Sequence, residues 1–148
     1  DELEEQIHML RTARNNLHAT IRQKQDRMKE VNQLRHAIRD YRRTKDVYTQ
    51  YRESGWSQKF YNEHREEIEA HKKAQAVYSS IEGKMPTLKE LTTEYESLRA
   101  QKENDNTALE ELKPKLTTLN HIKYNFDILT RDFLPEGQDL YREETLNR

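Results

Sequence analysis

A heptad repeat runs through the first fifth of the chain and limits the folds open to it. Apolar residues recur at spacings of three and four from Leu3 to Val31, with Arg14 and Lys24 at two positions of the same series. This period is typical of helices that wind around one another in a coiled coil. No Pro or Gly occurs in residues 2–53, so we predict a single helix there, about 75 Å long at 1.5 Å per residue.

Two short turns divide the rest of the chain. The sequence ESGWS contains Gly55, which favours the left-handed conformation after a helix end, and Ser57, which can cap the next helix. We therefore predict a second helix over residues 58–81. At the end of the second turn, EGKMPT, Thr87 and Glu90 have the spacing of a capping box and predict a third helix.

The third predicted helix, residues 88–133, contains residues that interrupt helices. The sequence ENDNT at 103–107 forms helices poorly, and Pro114 removes a backbone hydrogen bond. We expect this helix to be broken or kinked near residues 104–114. The sequence LPEGQ should end it, leaving residues 134–148 as a flexible tail.

These elements predict an all-α fold, an elongated helical bundle with long antiparallel coiled-coil arms. Short turns place consecutive helices antiparallel, so a three-helix bundle should form from residues 34–53, 58–81 and 87–102. Arms 2–30 and 109–133 should project from it, and their apolar stripes require partners. They pair with each other if the chain reverses near residues 104–106, and otherwise with a second copy or another protein.

The composition supports long helices rather than a compact globule. Of 148 residues, 32% are hydrophobic and 36% are charged, with three Gly and three Pro. We expect one helical module over residues 1–148. Because the chain starts in helical phase without Met, we interpret it as a segment of a longer protein.

The chain lacks the residues of common catalytic and membrane motifs. It has no Cys, no Gly-rich phosphate loop and no G-x-S-x-G sequence. We therefore expect neither catalysis nor a cofactor in this segment. No apolar run approaches the roughly 20 residues that span a bilayer, so we expect no membrane insertion.

Aromatic residues are concentrated around the first turn of a chain that contains few of them. Five rings and a glycine lie there: Tyr48, Tyr51, Gly55, Trp56, Phe60 and Tyr61. We interpret them as a structural corner, in which large rings fill the end of the bundle and bury the turn. A binding role for the same rings is the alternative interpretation.

One set of side chains has metal-ligand spacing. His64, Glu67 and His71 are separated by three and four residues, which places them on one helical face. Zinc requires a further ligand, and the neighbouring sequence offers none. We predict no metal site, and a metal-dependent helical enzyme would rest on these three residues alone.

Positive charge is concentrated in the first helix. Residues 6–45 contain eleven Lys or Arg against three acidic residues, whereas residues 53–111 contain eight against thirteen. We expect Arg35 to Lys45 to face the acidic second helix. The basic residues before them lie on the projecting arm, where DNA phosphates are accessible. The DNA-binding candidates are Arg11, Arg14, Arg22, Lys24, Arg27 and Lys29.

The central sequence carries a recognisable order of segments. A Tyr- and Arg-rich helix is followed by SGWSQKFY, HREEIEAHK and PTLKEL. This arrangement, over roughly residues 30–103, resembles the C-terminal helical region of relaxases. Relaxases are the mobilisation nucleases of conjugative and mobilisable elements in Gram-positive bacteria.

The resemblance implies a parent enzyme that nicks one DNA strand, with its catalytic Tyr and metal-binding His cluster in an N-terminal domain. No stretch of this chain matches that motif, so no residue here is assigned a catalytic role. The resemblance further implies a non-catalytic module that recruits proteins or oligomerises in a bacterial, cytoplasmic transfer complex, with DNA as a second partner. The alternative is a structural coiled-coil tether or scaffold with no nucleic-acid role.

Overall fold

Residues 1–132 are described by a computed structural model of the chain, and they form four helices. The helices are α1 (Glu2–Glu53), α2 (Gln58–Glu63), α3 (Arg65–Ser80) and α4 (Leu88–Asp132). No strand occurs in this range, and the all-α class is confirmed. The predicted tail, residues 134–148, lies outside the described residues.

The chain divides into two compact units. Unit 1 contains Asp1–Thr20 together with the chain from Asp105 onward, and unit 2 contains Ile21–Asn104. The two long helices, α1 and α4, contribute residues to both units. Each unit has its own buried apolar side chains.

In unit 1 the two predicted arms pair with each other. Three side chains of the pair are buried: Ile7, Leu109 and Leu116. The ammonium of Lys123 lies 3.7 Å from the carboxylate of Glu4, and Arg11 donates to the side-chain oxygen of Asn120 at 3.3 Å. Because residue numbers rise along α1 as they fall along α4, the pair is antiparallel.

Unit 2 is built around one apolar cluster. Val31, Leu34 and Ile38 of α1 pack with Leu91 of α4. Side chains from α3, the second turn and α4 cover this cluster: Val77, Tyr78, Ile81, Met85, Leu88 and Tyr95. Heptad positions of α1 therefore supply much of the core of this unit.

The bundle begins earlier in α1 than the sequence predicts. Arg27 donates to both carboxylate oxygens of Glu94, at 2.6 and 3.1 Å. Residues 21–30 therefore belong to unit 2, and their assignment to a projecting arm is wrong. The reason is that the first turns of α4 return beside this part of α1, which the chain lengths alone do not reveal.

The third predicted helix is one helix, α4, through the residues expected to interrupt it. It contains Pro114 and passes through residues 104–106 without a chain reversal. Pro114 is exposed, so water can bond the carbonyl that loses its helical partner. Burial of Leu109 and Leu116 on either side stabilises the helix. The expected break is therefore absent, and the arms pair without it.

The second predicted helix, residues 58–81, is instead two helices. His64 separates α2 from α3, with φ −127° and ψ 30°. Its backbone N–H donates to the carbonyls of Phe60 and Tyr61, and its imidazole Nδ1 lies 3.1 Å from the Phe60 carbonyl. A side chain that contacts a nearby backbone group competes with helix continuation, so the prediction of a single helix is wrong here.

Candidate functional site

The turn between α1 and α2 is a Schellman motif. The N–H of Trp56 donates to the carbonyl of Tyr51 at 3.2 Å, and the N–H of Gly55 donates to that of Arg52 at 3.1 Å. Gly55 has φ 73° and Trp56 has φ 61°. The left-handed conformation costs roughly 1–2 kcal/mol for a residue with a Cβ. The turn is therefore strained at Trp56 and relaxed at Gly55.

The aromatic rings of the corner contact one another across this turn. The Trp56 ring meets Tyr51 and Tyr48 edge-on, with centroids 5.2 and 6.1 Å apart. The Tyr51 ring also lies 6.2 Å from Phe60 and 6.0 Å from Tyr61. Aromatic pairs of this kind contribute about 0.5–1.5 kcal/mol each. The structure thus brings together all five rings that the sequence grouped.

The corner does not bury the turn, because the Trp56 side chain is 53% exposed. A Schellman motif places the residue after the glycine against the last turn of its own helix. Trp56 follows that rule and packs on Tyr51 rather than between helices. The expectation that these rings hide the turn is wrong for Trp56.

Tyr61 connects α2 to α3 across the interruption at His64. Its hydroxyl donates to the carboxylate of Glu69 at 2.5 Å, and this hydrogen bond raises the pKa of Tyr61. Arg65 and Lys72 each place a cationic group 5.6 Å from the centre of the Tyr61 ring. These contacts hold the short helix α2 on the start of α3.

A buried polar pair in unit 2 escaped the sequence analysis. Thr44 of α1 and His71 of α3 are almost completely buried, and Thr44 Oγ1 lies 2.9 Å from His71 Nδ1. The imidazole stacks on Tyr48 at 4.4 Å and on Tyr41 at 4.7 Å. The sequence indicates the burial of Thr44 only through its position, three residues after Tyr41 on the apolar face of α1.

The hydrogen bonds of this pair assign the histidine tautomer. The Thr44 hydroxyl donates its proton to the carbonyl of Asp40 at 2.6 Å. A hydroxyl has one proton, so the contact to His71 requires Nδ1–H to be the donor. Burial lowers the pKa of His71, which favours this neutral imidazole.

The three metal-ligand candidates do not converge. His71 points to Thr44, while His64 stacks on Phe60 with ring centroids 4.2 Å apart. Within residues 1–132, no group of three His, Cys, Asp or Glu side chains could hold a metal ion. Glu67 and His71 lie on α3, whereas His64 is the N-cap of that helix and has a non-helical backbone. The three residues therefore do not share one helical face as the spacing predicts.

The DNA-binding candidates are divided between the two units. The six residues are Arg11, Arg14, Arg22, Lys24, Arg27 and Lys29, of which the first two belong to unit 1. Arg27 is held by Glu94 and by Glu30, and these hydrogen bonds raise its pKa. Arg22 and Lys29 are exposed, whereas Arg14 and Lys24 are half-buried. Within unit 2, the four remaining candidates therefore do not form one free surface.

The basic residues expected to face the acidic second helix do not do so. Arg39, Arg42 and Arg43 are exposed, and the ion pair that Arg43 makes is with Asp40 of its own helix, at 3.2 Å. The side chains of α1 that contact His71 of α3 are the uncharged Tyr41, Thr44 and Tyr48 instead. The expectation for these arginines is therefore wrong.

Unit 1 has an exposed apolar face on α4. Ile122, Phe126 and Leu129 are 48%, 58% and 55% exposed. With Leu119 they follow spacings of three and four, so they share one side of the helix. Leu119 and Leu10 also line a groove, and the volume of this groove is about 480 Å³. We call Leu119, Ile122, Phe126 and Leu129 the unit 1 apolar face.

Comparisons with known proteins identify no family for this chain. No protein-family model, curated protein or solved structure matches it. Among the helices of residues 1–132, none has the length and apolar character needed to cross a bilayer.

Proposed function

We propose that this chain is a non-catalytic helical interaction module of a relaxase-like DNA-processing protein. In this proposal it recruits proteins or oligomerises in a conjugative transfer complex and also contacts DNA. The observation that carries the recruiting role is the unit 1 apolar face, whose side chains Ile122, Phe126 and Leu129 are about half exposed.

The apolar face suits a helical partner. Its residues repeat at spacings of three and four, the pattern with which one helix packs on another. The heptad seam between the arms is already filled, since Ile7, Leu109 and Leu116 are buried in it. The exposed part of the apolar face, formed by Ile122, Phe126 and Leu129, is therefore available to a protein partner without displacement of one arm from the other.

The link to DNA transfer rests on the sequence resemblance over residues 30–103. Its most specific part, the Gly-Trp corner, is a Schellman turn with packed rings. The same geometry would serve a structural tether, so the class of the parent protein needs its own experiment.

That experiment is a nicking assay on the parent protein. It is incubated with a divalent metal and a supercoiled plasmid carrying the DNA that flanks its gene. We expect a site-specific nick and a covalent protein–DNA adduct, and no nick from the 148-residue chain alone. A parent that leaves the plasmid intact would favour the tether, and nicking by the chain itself would overturn its non-catalytic role.

A second experiment tests the recruiting surface. Ile122→Gln with Phe126→Gln makes the apolar face polar, and both residues are exposed, so we expect little change in melting temperature. The variant should lower the transfer frequency of the mobile DNA, or reduce a dimeric light-scattering mass to that of a monomer. Tyr124→Gln is the matched control, because Tyr124 is 66% exposed but leaves α4 on another side. Equal effects of both variants would contradict the assignment.

A further inference from the structure

The outer side of α1 in unit 2 carries a stripe of positive charge. Five basic or ionisable side chains there are exposed: Arg22, Lys29, His36, Arg39 and Arg43. Gln25 and Asn32 lie between them and complete an unbroken alternation of three- and four-residue steps. Side chains with this spacing lie along one side of a helix. We call the five residues the basic stripe.

Most of the stripe lies on the side of α1 opposite the core of unit 2, and His36 also lines a groove with Lys73 and Ala74 of α3. The buried side chains of the same stretch, Val31, Leu34 and Ile38, pack on the core of unit 2. These buried residues also recur at spacings of three and four, but at positions different from those of the stripe. From Arg22 to Arg43 the stripe is about 32 Å long at 1.5 Å per residue, close to one turn of B-DNA at roughly 34 Å.

The positive charge of the stripe is largely uncompensated. Within the described part of the chain, no carboxylate pairs with Arg22, Lys29 or Arg39, and Asp40 pairs with Arg43 alone. Elsewhere in unit 2 cations are neutralised, as where Arg99 meets Glu96 and Glu103. An exposed row of cations that is mostly without carboxylate partners attracts a polyanion.

The chemistry of the stripe separates the classes of polyanion. Protein interfaces have an apolar core depleted of charge, and the stripe contains no apolar residue. Single-stranded nucleic acid is held by stacking on aromatic rings, and the stripe contains no Phe, Trp or Tyr. Duplex DNA offers phosphates at high density along a line and needs neither feature.

We infer that the basic stripe binds the phosphate backbone of duplex DNA without reading its sequence. The inference rests on the DNA role within the proposed function and gives that role a location. It places the DNA contact on a surface confined to unit 2 instead of on the six candidates predicted for the arm. Arg22 and Lys29 belong to both sets. Arg27 is excluded because Glu94 and Glu30 occupy its guanidinium.

A matched pair of variants of the full chain tests this location. The stripe variant carries Arg22→Gln, Lys29→Gln and Arg39→Gln. The control carries Lys45→Gln, Lys59→Gln and Lys89→Gln, three exposed cations of unit 2 on α1, α2 and α4. Both lose three charges, and Gln preserves helix propensity, so circular dichroism should show equal helix content and similar melting.

Fluorescence anisotropy with a short labelled duplex of arbitrary sequence gives the readout. The parent should bind at low salt with a log–log salt slope of about −3, since each phosphate contact contributes about −0.9. The stripe variant should bind at least about tenfold more weakly with a flatter slope, and the control should resemble the parent. No binding by the parent, or equal loss in both variants, would overturn the inference.

Two further ligands distinguish the partner classes. Poly-glutamate and single-stranded DNA of matched charge should compete weakly with the duplex. Stronger competition by poly-glutamate would assign the stripe to an acidic protein, and stronger competition by the single strand would remove the duplex assignment. The nicking assay tests the nuclease of the parent protein, whereas the DNA titration uses the 148-residue chain alone, so either experiment can fail without the other.

Discussion

At the scale of single residues, the His71 imidazole in unit 2 is held by contacts on several sides. It lies between the rings of Tyr41 and Tyr48 and donates to Thr44. Thr44 in turn donates to the Asp40 carbonyl, so each of the two protons in this series of hydrogen bonds has one acceptor. A second proton on His71 would have to be accommodated where burial disfavours charge.

Protonation of His71 should therefore destabilise the fold at acidic pH. Burial lowers the folded pKa of His71 below its ordinary value of 6.5. The unfolded chain then binds the proton first, so stability is complete above pH 6.5 and falls as the pH drops toward the folded pKa. Between the folded and unfolded pKa values of His71, the free energy of unfolding should fall by at most about 1.4 kcal/mol per pH unit. Urea unfolding between acidic and neutral pH measures it.

The control for this prediction is His71→Phe, which retains a ring between the tyrosines. Thr44 keeps the Asp40 carbonyl as its acceptor, so no buried donor is orphaned. The variant should lose this part of the pH dependence, whereas His36→Gln at an exposed position should retain it. If His71→Phe unfolds with the same pH profile as the parent, another group is responsible.

At the scale of elements, the end of α1 combines a strained backbone with packed rings. Trp56 holds φ 61° while its ring contacts Tyr48 and Tyr51. Gly55 also has positive φ, with open space around the position of a Cβ. The contacts and hydrogen bonds of the turn therefore offset an unfavourable backbone conformation at Trp56.

Trp56→Ala should reduce the free energy of unfolding by about 1–3 kcal/mol, the value of two ring contacts at about 0.5–1.5 kcal/mol each. A fully buried Trp would cost about 3–5 kcal/mol, and the 53% exposure of this one argues against that loss. Trp56→Gly should be more stable than Trp56→Ala, because it also relieves the positive φ. A loss above about 3 kcal/mol in urea unfolding would show a buried ring.

At the scale of the whole molecule, each unit has a separate set of buried side chains. Leu116 is buried in unit 1 and Leu91 in unit 2. Both leucines lie on α4, so they offer equivalent substitutions on one helix. They allow the stability of the two units to be measured separately.

Leu116→Ala and Leu91→Ala should each cost about 2–5 kcal/mol, the usual range for a buried leucine. Leu116→Ala should increase amide hydrogen exchange within residues 1–20 and 105–132, and Leu91→Ala within residues 21–104. Hydrogen exchange followed by mass spectrometry resolves these ranges. Equal loss of protection in both units after either substitution would show that they unfold as one.

The sequence by itself determined the features that depend on neighbours a few residues apart. The heptad period and the absence of Pro and Gly specify the long helix α1. Gly55 and the pair Thr87 and Glu90 specify the turns, because their hydrogen bonds close within one helical turn. The grouping of the corner rings follows from the same local order.

Only the tertiary structure decided which side chains are buried, paired or exposed. Arg27 differs from Arg22 because Glu94 lies opposite it, a residue 67 positions away. His71 becomes buried because the rings of α1 enclose it, and Pro114 is tolerated because buried leucines flank it. A count of charges along the chain identifies α1 as the basic helix. The contacts of α1 decide which of its sides remains exposed, because the burial of a side chain depends on the element that lies opposite it.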